Sequence, residues 1–226
     1  MLLKTLKRTI ACKRRFAGPG LRLISCMLVA VYAFLLSPIQ AATPLTLDNF
    51  KSGHYAVSLT NAQAQDIHFA PLAAGSPLGP ARETVFGIGG NPYGQRSTLD
   101  IGKGIWIVDG GFDVVPGVQI YYGWADATTP APLGLDLSAY SAFQLTFAGI
   151  ATESVLGVDI TVWTHSGGVY AAQTFLPPDT NVLSVDFQFA SFQPGALDAS
   201  DIDTIGIVTW GGGTNSYGIT SFQAIP

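Results

Sequence analysis

The sequence predicts an all-β domain of antiparallel strands, folded as a sandwich or barrel, behind an N-terminal leader. Three observations predict it. After residue 41, short β-branched and aromatic runs are separated by Gly, Pro, Asn and Asp clusters at fairly even spacing. No stretch carries a long helical period. Several runs alternate apolar and polar residues with period two, which packs one strand face and leaves the other wet.

Charge divides the chain. Residues 1–41 hold seven basic residues (Lys4, Lys7, Arg8, Lys13, Arg14, Arg15 and Arg22) and no acid. Residues 42–226 hold four basic and fifteen acidic residues, a formal net charge of −11. The basic start runs into an uncharged apolar stretch, Leu23–Leu36, then Pro38 and the small or aliphatic Ile39-Gln40-Ala41. Those three parts describe a cleavable signal peptide over 1–41, and hence a secreted, extracellular or cell-surface protein. The alternative is an uncleaved anchor, but the stretch falls short of the ~18–20 residues a hydrocarbon core requires. Both cysteines, Cys12 and Cys26, lie in the leader, so residues 42–226 have no disulfide, thiolate nucleophile or Cys-based metal site. The acidic charge repels phosphate, which argues against nucleic acid and against an anionic membrane surface once the signal is cleaved. Residues 42–226 are read as a single domain, long enough for one core.

The strands follow in order. Leu45–Phe50 and His54–Thr60 flank a tight turn at Lys51-Ser52-Gly53. Ala81–Ile88 precedes a loop at Gly89–Gly94, and Ser97–Ile101 and Gly104–Val108 make a hairpin about Gly102-Lys103. Val118–Trp124 leads into a Pro-rich loop from Asp126 to Gly134. Ala142–Ala148, Gly157–His165, Gly168–Phe175, Val182–Phe187, Thr204–Trp210 and Ile219–Ile225 complete the set. Leu137–Tyr140 and Ala199–Ile202 read as short helical turns capped by Asp136 and Asp198.

Alternation assigns faces. Phe143, Leu145 and Phe147 oppose Gln144 and Thr146. Val158, Ile160 and Val162 oppose Asp159, Thr161, Trp163 and His165. Val118, Ile120, Tyr122 and Trp124 oppose Gln119 and Tyr121, which places Trp124 in the core.

Three segments carry a family resemblance: Leu47-Asp48-Asn49-Phe50; Gly134–Tyr140 with the strand Phe143–Phe147; and Phe189–Phe192, Leu197–Ile202, Ile205–Trp210 and Tyr217–Phe222. Together they resemble the jelly-roll domain with galactose-binding-like topology found in many carbohydrate-binding modules. More narrowly, they resemble bacterial exoproteins that carry a PEP-CTERM sorting tail. Ser76–Glu83 is similar to a Gly-rich turn followed by an Arg-acid pair in those proteins. The resemblance implies a β-sandwich of jelly-roll type with roughly ten strands. In that group the last strand is often followed by Pro-Glu-Pro, an apolar helix and a basic end, whereas this sequence stops at Ile225-Pro226. Either the protein lacks the tail or the sequence is cut short there; if the end is real, simple secretion is the expectation and membrane-linked sorting is not carried over.

Groups for catalysis are sparse. His54, His68 and His165 show no metal-ligand spacing, and neither a Gly-x-Ser-x-Gly elbow nor a His-Glu-x-x-His run is present. Gly87–Gly94 and Gly211–Gly213 lack a following Lys-Ser/Thr and a helix, so they read as loops. A glycosidase needs two carboxylates at a set separation; Glu83 and Glu153 are the two glutamates, and no alternating Glu-x-Asp-x-Glu strand occurs. Arg82 is expected to reach a carboxylate elsewhere and pin the sheet. Asp198, Asp201 and Asp203 could supply oxygens to a structural calcium ion, which wants six to eight; alternatively Asp198 and Asp201 cap turns and Asp203 is solvated. Asp48 and Asp136 are further candidate ligands, and no other cofactor is implied.

The most suggestive constellation is the wet face of Trp163, Asp159, Thr161 and His165, with Gln119, Tyr121 and Gln144 on strands that could lie alongside. Sugars are held by an aromatic plate under their C–H face, with amides and carboxylates fixing the hydroxyls, a platform with a few oriented polar groups. Alternatively Trp163 is covered by the Pro-rich loop and extends the core. Trp106 and Trp210 carry the same ambiguity. The first functional expectation is a secreted, non-catalytic module that binds extracellular glycan or matrix polysaccharide. The second is a structural surface or biofilm-matrix protein with no small-ligand site, and the third a glycan-active enzyme. An exposed Trp163 favours the first and a covered Trp163 the second.

Overall fold

Among the described residues thirteen strands form two antiparallel sheets that pack face to face. The computed structural model describes residues 42–152, 155–211 and 213–226. The expected signal peptide lies outside the described residues. Among those residues no helix is long and apolar enough to cross a membrane.

The strands are β1 (Leu45–Asp48), β2 (Tyr55–Leu59), β3 (Gln65–Pro71), β4 (Ala81–Gly90), β5 (Ser97–Gly102), β6 (Ile105–Asp109) and β7 (Val115–Tyr122). They continue as β8 (Ala142–Thr152), β9 (Leu156–Thr164), β10 (Val169–Leu176), β11 (Leu183–Gln188), β12 (Ile202–Gly211) and β13 (Asn215–Ile225). One sheet runs β11-β8-β13-β6-β5-β2, with β1 also paired to β13; the other runs β10-β9-β12-β7-β4-β3. From β6 onward the chain steps between sheets at almost every strand, the crossing that makes a jelly-roll sandwich. The β5–β6 hairpin turns through Lys103 and Gly104, both at positive φ (54° and 91°), as a two-residue turn between right-twisted strands requires.

The core lies where the inward faces meet. Phe143, Leu145, Phe147, Trp106, Ile219 and Phe222 come from the first sheet, and Phe86, Ile120, Tyr122, Ile160, Val162 and Ile207 from the second. Period-two alternation predicted the inward positions of Phe143, Leu145 and Phe147, of Ile120 and Tyr122, and of Ile160 and Val162, which alternate with the partly exposed Asp159, Thr161 and Trp163. Trp106 belongs to this core and stacks edge-on with Phe50 and Tyr217.

A buried polar lock ties the two sheets. Arg82 on β4 is fully buried, and its Nη1 donates to Asp48 Oδ2 on β1 at 2.7 Å. Tyr122 on β7 donates its hydroxyl to the same oxygen at 2.8 Å, and Asp48 Oδ1 accepts the Phe50 N–H. Arg82 Nη2 also donates to the Gly53 and Ser52 carbonyls of the β1–β2 turn. Asp48 is thus a partner of Arg82, not a calcium ligand, and the expected pinning role of Arg82 is realised across the sandwich.

Three expectations differ locally. Strand β3 is not in the sequence expectation, because its pattern carries Asp66, His68 and a terminal Pro71; among the described residues it is an edge strand, where proline is tolerated, and pairs with β4. The two expected helical turns are plain turns: Asp136 Oδ1 accepts the Ser138 N–H, and Asp198 Oδ1 accepts both the N–H and hydroxyl of Ser200. The aspartates do cap, but the segments are too short to nucleate a helix. A 3₁₀ turn forms at Phe189–Ser191.

Candidate functional site

Cross-strand register sets out the outer face of the second sheet as a lattice. One row reads Glu83, Tyr121, Gly206, Thr161 across β4, β7, β12 and β9. The next reads Val85, Gln119, Val208, Asp159 and, on β10, Gln173. A third reads Gly87, Gly117, Trp210, Gly157, Phe175. Thr204 and Trp163 pair on the other side of the first row. The face follows from period-two alternation alone: each inward anchor stands next to an outward site residue, Arg82 beside Glu83 and Tyr122 beside Tyr121.

Glycine shapes this face at two points. A Cβ on Gly206 would come within 2.8 Å of the Tyr121 ring and 3.2 Å of the Trp163 ring, so both rings lean over the bare backbone of β12. Their centroids stand 6.2 Å apart at 57°. The other point is Gly123, at φ +108°, whose missing Cβ would sit 2.6 Å from the Asp203 carbonyl. No side chain fits there, and the left-handed backbone ends the alternation of β7.

That break corrects the expectation for Trp124. Its position in the strand pattern points to the core, but the turn at Gly123 swings it onto the outer face, where it is half-buried and lines a cavity. The cavity encloses about 570 Å³ among Trp163, Tyr121, Trp124, Pro130, Pro132 and Glu83, with Thr204 and Asp203 at its edge. The Pro-rich loop is its wall. Ala131 N–H donates to the Gly123 carbonyl, Leu133 N–H to the Asp203 carbonyl and Leu135 N–H to the Ile202 carbonyl, so the loop is tied along the start of β12. Asp126 closes its tip by accepting the N–H groups of Thr128 and Thr129 and the Thr128 hydroxyl. Trp163 is accordingly neither covered nor fully exposed: it is half-buried and faces an open recess.

The polar groups are oriented. Tyr121 donates its hydroxyl to Gln119 Oε1 at 2.9 Å, leaving the Gln119 amide N–H groups to face outward. Thr161 donates to Asp159 Oδ1 at 2.7 Å. Burial, then the nearby Glu83 and Asp159 carboxylates, push the Tyr121 phenol up and keep it protonated as a donor. Burial alone pushes the Glu83 carboxyl up. His165 Nδ1 stands 3.1 Å from Asp203 Oδ2, with its side chain 77% exposed.

A second, shallower recess of about 360 Å³ opens on the same face where Gly87 and Gly117 supply floor without side chains, with Val85, Gln119 and Trp210 around it. Trp210 leans over Gly157, whose Cβ would collide with the indole, and meets Phe175 edge-on at 6.2 Å.

Of the residues selected from sequence, Trp163, Asp159, Tyr121 and Gln119 share this face, and His165 follows β9 at its end. Gln144 does not. It lies on β8 in the opposite sheet and donates to Asp186 on β11 at 2.8 Å. Alternation shows that Gln144 points outward but not which sheet carries it. The three aspartates of the calcium expectation each have a partner of their own. Asp198 is spent on Ser200, Asp201 Oδ2 accepts the Ser166 N–H at 3.2 Å, and Asp203 pairs with His165. Among the described residues no group of three or more His, Cys, Asp or Glu side chains converges as metal ligands. Glu83, Trp124, Thr204 and the loop prolines were missed. Their signal, an aromatic beside a Gly at a strand end before a Pro-rich loop, is legible only once the turn is known.

No family model matches the chain, and no curated protein matches it. Among solved structures, the family 11 carbohydrate-binding module of a cellulosomal cellulase of Clostridium thermocellum aligns with a TM-score of 0.40 at 14% identity, over 82% of this chain and 96% of that one. The Clostridium thermocellum family 11 module in complex with a beta-1,3-1,4-mixed-linked tetrasaccharide gives 0.42 at 13% identity, over 82% and 97%. TmCBM61 in complex with beta-1,4-galactotriose gives 0.31 at 6% identity, over 74% and 90%. Likeness at this level assigns no function, which has to come from the chain's own residues.

Proposed function

We propose that this chain is an exported, non-catalytic glycan-binding module, and that its ligand lies across the outer face of the second sheet. The observation that carries the proposal is the aromatic recess built on Gly206: Tyr121 and Trp163 lean over it, and Trp124 and the tied Pro-rich loop wall it. A site of this volume, apolar with a few convergent polar groups, is how small-ligand sites are built. The tilted aromatic faces offer platforms for pyranose C–H groups. The Gln119 amide, Thr204, Asp159 and Glu83 lie within the same rows to meet hydroxyls. The second recess beside Trp210 continues along the same strands, so a chain of several sugar units is the fitting ligand.

The opposite sheet supplies the contrast. Its outward residues pair with each other, Gln144 with Asp186 and Thr146 with Ser184, and present no aromatic platform along that pair of strands. Export rests on the basic and apolar leader, and the likeness to sorted exoproteins belongs to the same proposal.

The test is an insoluble-polysaccharide pull-down and glycan array with the wild-type protein and Trp163→Ala, each checked for fold by circular dichroism. Loss of an aromatic anchor is expected to weaken binding roughly 30-fold or more. Binding untouched by the substitution moves the site elsewhere, and no binding to any glycan favours the structural exoprotein.

A further inference from the structure

We propose that the aromatic recess selects a positively charged glycan, one bearing free primary amines, with Glu83 as the residue that receives the ammonium group; this rests on the glycan-binding reading of the same face.

The charge of the face is one-sided. The six strands of this sheet contain no lysine, and their one arginine, Arg82, is turned inward and spent on Asp48. Lys51, Arg96 and Lys103 lie in turns outside those strands. A uronic-acid polymer would therefore find no arginine or lysine to receive its carboxylates on this sheet, and it would meet repulsion from Glu83, Asp159 and Asp203.

The carboxylates differ in what already satisfies them. Asp159 accepts from Thr161, and Asp203 stands against His165. Glu83 has no cation within ion-pairing distance and no side-chain hydrogen bond among the described residues, though it is partly buried at the cavity wall. Its carboxyl is pushed up by burial without a compensating partner, the condition an incoming ammonium relieves. Its cross-strand neighbour is Tyr121, so the same ammonium would approach the negative faces of Tyr121, Trp163 and Trp124. Aromatic walls with a carboxylate are the recurrent way to hold an organic cation. A neutral hydroxyl in that position gains one hydrogen bond; a protonated amine gains a charge-assisted one, about twice as strong.

The experiment is calorimetry at mildly acidic pH and low salt. It uses the wild-type protein and Glu83→Gln against four probes: a β-1,4-linked glucosamine tetramer, its fully N-acetylated counterpart, a neutral glucan tetramer and tetramethylammonium. The expected result is a preference of about tenfold for the glucosamine tetramer over its N-acetylated form, lost in Glu83→Gln and reduced by salt. Equal binding of the acetylated, neutral and amine-bearing tetramers overturns the charge selection and leaves the glycan site standing. A preference that survives Glu83→Gln overturns the role of Glu83. Tetramethylammonium bound as tightly as the glucosamine tetramer, or no tetramer bound at all, overturns both the selection and the glycan-binding reading.

Discussion

Replacing Asp48 by alanine should unfold this protein far more readily than its position near the start of β1 suggests. Asp48 is 6% exposed and Arg82 0%. The substitution removes the 2.7 Å pair and the acceptor of the Tyr122 hydroxyl and the Phe50 N–H. What remains is a guanidinium out of water, held by the Ser52 and Gly53 carbonyls and the face of the Phe50 ring. Breaking a buried pair from one side costs about 3–5 kcal/mol, because the surviving charge is uncompensated. For a domain of this size that lowers the midpoint by about 6–20 °C. Urea unfolding followed by tryptophan fluorescence measures it, as a lower midpoint at unchanged slope. The partner experiment is Asp48→Ala combined with Arg82→Met. With the charge gone, the pair should be less destabilised than the sum of the single variants, by about 1–3 kcal/mol. A cost below about 1 kcal/mol for Asp48→Ala, the value of an exposed pair, or strict additivity in the cycle, would refute the cross-sheet lock.

Two further outcomes follow from the site. Gly206→Val puts a branched side chain where the Tyr121 and Trp163 rings lean, so glycan binding should fall by about tenfold or more while the far-ultraviolet spectrum is retained; unchanged affinity would mean that the rings are not the platform. Burial raises the Glu83 pKa in the folded state, so folding favours its protonated form. Its favourable contribution is present below the ordinary carboxylate value and lost as pH rises through the raised one. Glu83→Gln should therefore match the wild type in acid and gain on it in stability toward neutral pH; parallel stability curves across that window would contradict the burial.

The site shows where local pattern is sufficient and where it fails. Tyr121, Gln119, Asp159 and Trp163 were recoverable because an outward position in a strand is fixed by its neighbours, two residues at a time. Gln144 has an equally clear outward pattern, yet it belongs to the other sheet. Trp124 was misplaced because one left-handed glycine ends the period it was counted in. The three aspartates are close in sequence, but turns send their carboxylates to Ser200, Ser166 and His165.

By itself the sequence determined that residues 42–226 are all-β, which side chains are buried in the strands of clearest alternation, β7, β8 and β9, and that Arg82 needs an internal partner. These depend on alternation and on the cost of burying charge, both local or single-residue properties. Only the tertiary structure decided that the partner is Asp48, that Trp163 and Tyr121 meet over Gly206, and that a Pro-rich loop turns them into a cavity. Strand register pairs 121 with 206 and the packing of one sheet on the other brings 82 to 48, and no pattern within a strand encodes its neighbour.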